Sequence, residues 1–313
     1  MEVSASTVQL RVWTKRDWVL IILSFCATYF IWGSTYLANW WAVQVIPPFL
    51  LGACRFFLAG LIMFVISIFF GRSGTTLRQW RNAFFSGIML FVLGNGFLVW
   101  ALQYMDSGVT ALLVSFEPLV VVFLLWKIQG QIPRWMTLFG ITLGVIGMGL
   151  LVGQPQYLED SNWMFALGMV FISIFAWAYI SVWLPNADLP ANNFLSASMQ
   201  MLCGGAGLFL LALFTGEFQE FHFAEVNARA IWSFFYLVFG GSIIAFTAFN
   251  YLLHTVSPVK VVTNAYVNPV VALLVGSLFN QEIISKQSLI ASILLITGVI
   301  VINTRKRRPR KIN

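Results

Sequence analysis

Charge is scarce in this sequence. Asp, Glu, Lys and Arg together make up 9% of its 313 residues, while 59% are hydrophobic, with 30 Phe and 13 Trp. A soluble chain carries about a quarter charged residues, so a water-soluble globular protein is excluded. Histidine occurs twice and cysteine three times. Cys26, Cys54 and Cys203 each lie inside an apolar run, without CxxC spacing, and read as small packing residues, not as a metal or disulfide framework. HExxH is absent, as is a Walker-type phosphate loop, so neither zinc-protease chemistry nor direct use of ATP is expected. No acidic pair faces another at a helix end, which argues against an intramembrane lipid-modifying enzyme. No cofactor or metal is expected.

The net charge of +7 does not point to nucleic acid, because it sits in short segments and at the tail. RKRRPRK near the C-terminus reads as a stop-transfer cluster. The N-terminal stretch is polar and basic, and the first apolar run continues for a full membrane span, so a cleavable signal is not expected.

What the sequence has instead is a succession of apolar runs long enough to cross a bilayer. They predict ten transmembrane helices, at about 18–39, 48–70, 82–104, 108–128, 135–153, 163–184, 192–214, 230–253, 258–279 and 286–303. Placing the N-terminus inside puts 14 of the 18 Lys and Arg residues in cytoplasmic segments, as the positive-inside rule requires. The outer loops collect Glu159, Asp160, Glu217, Glu220 and Glu225. The expected location is the plasma membrane, a bacterial inner membrane, crossed many times with both termini cytoplasmic.

The chain also resembles itself. A shift of 151 residues lays Glu117-Pro118 on Asn268-Pro269, Trp100 on Tyr251, Gly130-Gln131 on Gln281-Glu282 and Gly147 on Gly298. A shift of 145 lays Trp32 on Trp177 and Arg55 on Gln200. The reading is four segments: a cytoplasmic stretch 1–17, a first five-helix unit 18–153, a second 163–303, and a basic tail 304–313. Five is odd, so the second unit enters the membrane in the opposite sense. The expected fold is all-α, two inverted five-helix repeats, an architecture suited to alternating access.

Polar residues inside the spans mark the candidate site. Arg55 lies about 10 Å and Glu117 about 15 Å inside from the same side, at 1.5 Å per residue. Similar depths predict an ion pair that keeps Glu117 ionised, favouring exchange or facilitated diffusion over proton carriage. Such a pair is either architectural or able to trade partners with a zwitterionic substrate. Gln200 and Asn268 are its neutral counterparts in the second half. Pro118 and Pro269 free the carbonyls of Val114 and Ala265, which either bind an ammonium or only bend the helix. Asn95, in Gly94-Asn95-Gly96, either bridges helices or faces the cavity. Trp32, Trp100, Trp177 and Tyr266 lie within spans, not at their ends, and either pack or wall the cavity. Gly140, Gly144, Gly147 and Gly149 form a stripe for close helix packing or for a dimer contact. His254, at a helix end, is either a surface residue or a proton relay.

Three stretches carry a family likeness: WGSTYLANWWAVQVIPPFLLGACRFFLAG (Trp32 to Gly60), ALQYMDSGVTALLVSFEPL (Ala101 to Leu119) and YVNPVVALLVGSLFNQEIISKQSLIASILLITGVIVI (Tyr266 to Ile302). In order and spacing they resemble EamA-type permeases of the drug/metabolite transporter superfamily, over nearly the whole chain. The resemblance implies a ten-helix bundle that carries small metabolites, often amino acids or their derivatives outward. One departure is Gln281-Glu282, where that family usually has Gly-Glu. The expected partners are a small-molecule substrate and the lipid bilayer, with no nucleic acid, for a monomer or weak dimer. A channel, a passive scaffold and an intramembrane enzyme are the rival readings.

Overall fold

A computed structural model describes residues 14–70, 74–130, 132–154, 160–256, 261, 264–282 and 284–303. Among these residues the protein is helical throughout, without strands. Eight helices are long and apolar enough to cross a membrane: α1 Lys15–Val43, α2 Pro48–Phe69, α3 Leu77–Ala101, α4 Ser107–Ile128, α5 Trp135–Val152, α6 Ser161–Asn186, α7 Asn193–Thr215 and α8 Ala228–Leu252. Two more follow, α9 Asn264–Asn280 and α10 Lys286–Asn303, whose apolar stretches are shorter. The expected start of the ninth span near residue 258 lies outside the described residues.

Polar residues set the helix ends. Thr14 and Asp17 close a capping box at the start of α1, and Thr76 and Gln79 do so for α3. Asp160, Asn192 and Asn227 cap α6, α7 and α8 with side-chain oxygens, each satisfying amides that a helix start leaves without partners. At the other ends Gly130 and Gly216 turn the chain with φ of 66° and 81°.

Two helix starts are capped from far away in sequence. Glu217, buried, accepts from the amides of Phe49 (3.2 Å) and Leu50 (2.7 Å) at the start of α2. Burial pushes its carboxyl above the ordinary value, against the pull of those two amides. Glu282 accepts from the Ser107 amide (3.2 Å), the Ser107 hydroxyl (2.6 Å) and the Gly108 amide (3.0 Å) at the start of α4.

The residue before Glu282 departs from the expected family pattern and has a visible backbone consequence. Gln281 sits at φ 55°, the non-glycine residue with positive φ among those described. A side chain there costs roughly 1–2 kcal/mol, which glycine avoids. Gln281→Gly is therefore expected to raise stability by about 1 kcal/mol, read as a higher thermal unfolding midpoint in detergent. An unchanged or lower midpoint would contradict this.

Glycine lets the helices close. A Cβ on Gly60 or Gly205 would meet α7 or α2 backbone at 3.0 and 2.8 Å, and one on Gly87 would meet the Gln200 carbonyl at 2.5 Å. Thus α7 lies flush on α2 and α3. The stripe on α5 does the same for α10: Gly298 faces the Gly140 carbonyl and the Gly144 amide, while Gly147 faces Ala291 and Leu295. That face is used within the chain, and a Cβ on Gly149 would point into open space. Phe30, Phe69, Phe214 and Leu278 are exposed on the outside, where hydrocarbon rather than water suits them.

The two largest buried apolar clusters lie on either side of the bundle's middle. One joins α2, α3, α7 and α8 through Phe56, Phe91, Met201, Leu208 and Phe246. The other joins α4, α5, α6 and α10 through Leu112, Leu113, Leu151, Val170 and Leu295.

Candidate functional site

Between the clusters lies a cavity enclosing about 1050 Å³ between its lining atoms, open mouth included. Six of the side chains named from the sequence line it: Trp32, Arg55, Asn95, Glu117, Trp177 and Asn268, with Pro118 beside them.

Three helices loosen to a π-helical winding around it, at Ala27–Ile31 in α1, Ile88–Gly96 in α3 and Leu237–Ala245 in α8. A π turn breaks the regular i to i−4 ladder and leaves carbonyls seeking donors. Side chains that line the cavity supply them. Trp32 Nε1 donates to the Gly241 carbonyl at 3.1 Å, Asn95 Nδ2 to Leu90 at 3.2 Å, and the Ser173 hydroxyl to Gly94. With its NH2 facing them, Asn268 donates to the carbonyls of Thr28 (3.0 Å) and Tyr29 (3.1 Å). Asn95 and Asn268 therefore both face the cavity and hold backbone in place.

Arg55 is 5% exposed. Its Nε donates to Ser242 Oγ at 2.8 Å and its Nη1 to Asn39 Oδ1 at 3.3 Å. The guanidinium lies 4.6 Å from the Phe56 ring centroid. Gly241 makes room for it, since a Cβ there would come within 2.9 Å of Nη2. A guanidinium has five N–H donors, so most of them remain uncommitted, and every partner is neutral.

Glu117 lies in mid-span in α4, where Ser107–Val114 ends, Ser115 and Phe116 turn, and Glu117–Gln129 starts with Pro118 in its first turn. The backbone stays right-handed helical through Ser115 and Phe116, so Pro118 stands just after a local tightening of one continuous span, where its missing amide costs little. Glu117 is half-buried and lines the cavity together with Ser181.

The expected ion pair is not formed. Among the described residues the one salt bridge is Arg78–Asp188, at 3.4 Å. Arg55 is drawn instead to Ser242 on α8 and Asn39 on α1, which leaves both charges facing one cavity without touching.

Other expectations divide. Trp32 and Trp177 meet edge-on, ring centroids 6.2 Å apart, and Trp32 packs on Phe249 at 5.1 Å. Trp100 does not line the cavity. It stacks against Phe165 and Tyr104 at the end of α3. Gln200 does not either. It is 1% exposed, sealed where α7 lies on α3, and donates to Ser196. Pro269 sits within α9, which continues as helix on both sides. The side chains of Tyr266 and His254 lie outside the described residues. Thr35, Tyr36, Asn39, Ser181 and Ser242 also line the cavity and were not anticipated. Trp32, Thr35, Tyr36 and Asn39 repeat at i, i+3, i+4 and i+7, the spacing of one helix face, which could have revealed three of them.

A helical membrane bundle with an ionisable, aromatic-walled central cavity defines a multi-pass membrane transporter, and the comparisons agree. The profile of the EamA-like transporter family matches residues 19–153 and 164–304. The chain is 31% identical over 283 residues to the uncharacterized inner membrane transporter YedA of Escherichia coli, covering 90% of this chain and 89% of that one. It is 24% identical to the uncharacterized transporter YoaV of Bacillus subtilis (94% and 100% covered) and 23% identical to protein PecM of Dickeya dadantii (87% and 88%). A solved crystal structure, 20% identical, superposes with a TM-score of 0.66 over 91% of this chain and 96% of that one, which establishes likeness of fold. This chain belongs to the EamA-like transporter family.

Proposed function

We propose that the protein moves small zwitterionic or amphiphilic metabolites, amino acids or close derivatives, out of the cell by alternating access. Ten spans form two oppositely inserted five-helix units, residues 18–153 and 163–303, in a bacterial inner membrane with both termini cytoplasmic. Two sets of contacts support that threading. Glu217 reaches Phe49 and Leu50, and Glu282 reaches Ser107, linking segments that ten spans put outside. Arg78 reaches Asp188, linking segments that ten spans put inside.

The observation that carries the substrate class is the unpaired placement of Arg55 and Glu117 on one cavity. A buried charge is costly until something neutralises it. A zwitterion does so for both at once, its carboxylate taking the free guanidinium donors and its ammonium taking Glu117. Trp32, Trp177 and Phe249 would wall the remainder of the solute. A sugar phosphate would need several cations at this depth, and among the described residues Arg55 is the one cation lining the cavity.

Glu117→Gln tests the assignment of ends. It is expected to lower transport of amino acids by roughly 30-fold or more, the cost of an unpaired buried ammonium. Analogues with the ammonium replaced by a hydroxyl should be affected far less. Measured as uptake into proteoliposomes, equal losses for both substrates would contradict the assignment.

A further inference from the structure

A second recess opens on the lipid-facing side, between α1, α8 and α9, enclosing about 770 Å³ with its open side included. Its lining is almost wholly apolar, with Leu37, Trp232, Tyr236, Val275 and Phe279 among its walls. The floor is tied by a 2.6 Å hydrogen bond between Ser34 Oγ and Tyr236 OH. From Ser34 to Trp41 on α1, and from Arg229 to Tyr236 on α8, the recess runs about 10 Å along the helices at 1.5 Å per residue.

At the mouth stands Arg229, exposed at the start of α8. Its guanidinium lies 5.2 Å from the Trp41 ring centroid, and Trp41 is itself fixed by its Nε1 donating to Asn280 Oδ1 at 3.3 Å. The acidic residue nearest it in sequence, Glu225, forms no ion pair with it, nor does any other described carboxylate. Trp41 and Trp232 flank it at the level where membrane proteins collect tryptophan. A fixed, uncompensated cation therefore caps an oily channel one helix away from the transport cavity, with α1 between them.

We infer that this recess is a binding site for one glycerophospholipid, its phosphate on Arg229 and an acyl chain lying between Trp232, Tyr236 and Val275. The charge selects the occupant: an acyl chain alone gains nothing from the guanidinium, and free phosphate gains nothing from the channel. A second copy of the chain would have to bury an unpaired Arg229 in the contact.

Native mass spectrometry of the full chain tests this, titrating with phosphatidylglycerol, diacylglycerol or inorganic phosphate. The wild type is expected to retain one phosphatidylglycerol and neither of the others. Arg229→Gln, an exposed change that takes the guanidinium off the Trp41 ring and leaves the apolar walls in place, should lower occupancy roughly 5-fold. Val275→Phe, which fills the channel and keeps the cation, should lower it at least as much. Anything short of a loss in both variants overturns the site. So does diacylglycerol binding as well as phosphatidylglycerol, or release of the wild type as a lipid-free dimer.

Discussion

Arg55→Gln is expected to reduce substrate counterflow by roughly 30-fold or more, because truncating one side of a buried charge pair costs ~2–5 kcal/mol. Two side chains hold Arg55 against the cavity wall. Ser242 and Asn39 are neutral, and glutamine can still hydrogen-bond to them, so the bundle should fold with its midpoint little changed. What glutamine cannot do is offer a carboxylate two parallel charged N–H donors. Arg55→Lys should recover little of the loss, since an ammonium cannot span Ser242 and Asn39 while presenting a flat fork to substrate. If the lysine variant transports as well as the wild type, Arg55 supplies only net charge. If Arg55→Gln leaves counterflow intact, the guanidinium does not meet the substrate.

The second large effect is on stability. Gly298→Val should destabilise the bundle by about 3 kcal/mol, the upper end of the overpacking range. A Cβ there would lie 2.6 Å from the Gly140 carbonyl oxygen and 2.9 Å from the Gly144 nitrogen. Both obstacles are backbone, so no rotamer change relieves them, and α5 and α10 must separate along their contact. Gly149→Val is the control, since a Cβ at that position meets nothing within 4 Å. Thermal unfolding in the same detergent should show a large drop for the first and almost none for the second. Equal effects would mean that loss of glycine, and not loss of the close approach, governs the outcome.

These two positions illustrate what could be read from residues alone. Gly140, Gly144 and Gly147 announced a close helix contact by their spacing, and Glu117-Pro118 announced a special point in mid-span, because both signals are local. The spans themselves were legible because a bilayer demands long uninterrupted apolar runs. The ion pair between Arg55 and Glu117 was not a sound inference. Counting residues gives depth along a helix but not the direction a side chain takes around it, and Arg55 turned toward α1 and α8. Matching Gln200 to Arg55 failed for a related reason: the repeat aligns positions, while Gly87 and Gly205 decide that α7 closes over that face. The π windings had no clear sequence signal beyond glycines near Asn95 and Ser242. Yet they present the carbonyls to which Trp32, Asn95 and Asn268 are tied.

That tying has a functional sense. The widened turns in α1, α3 and α8 interrupt the regular helical ladder, and the side chains holding them line the cavity. Trp32, Asn95 and Asn268 thus join the cavity wall to the carbonyls of those windings by direct hydrogen bonds.

The most direct test is counterflow in proteoliposomes carrying the full chain, with unlabelled solute inside and a panel of labelled amino acids, nucleosides and cationic drugs outside. Transient, saturable accumulation of one or more zwitterionic amino acids, abolished by Arg55→Gln, is the expected result. Saturation by nucleosides or cations alone, or single-channel current with no counterflow of any solute, would contradict a zwitterion transporter built around Arg55 and Glu117.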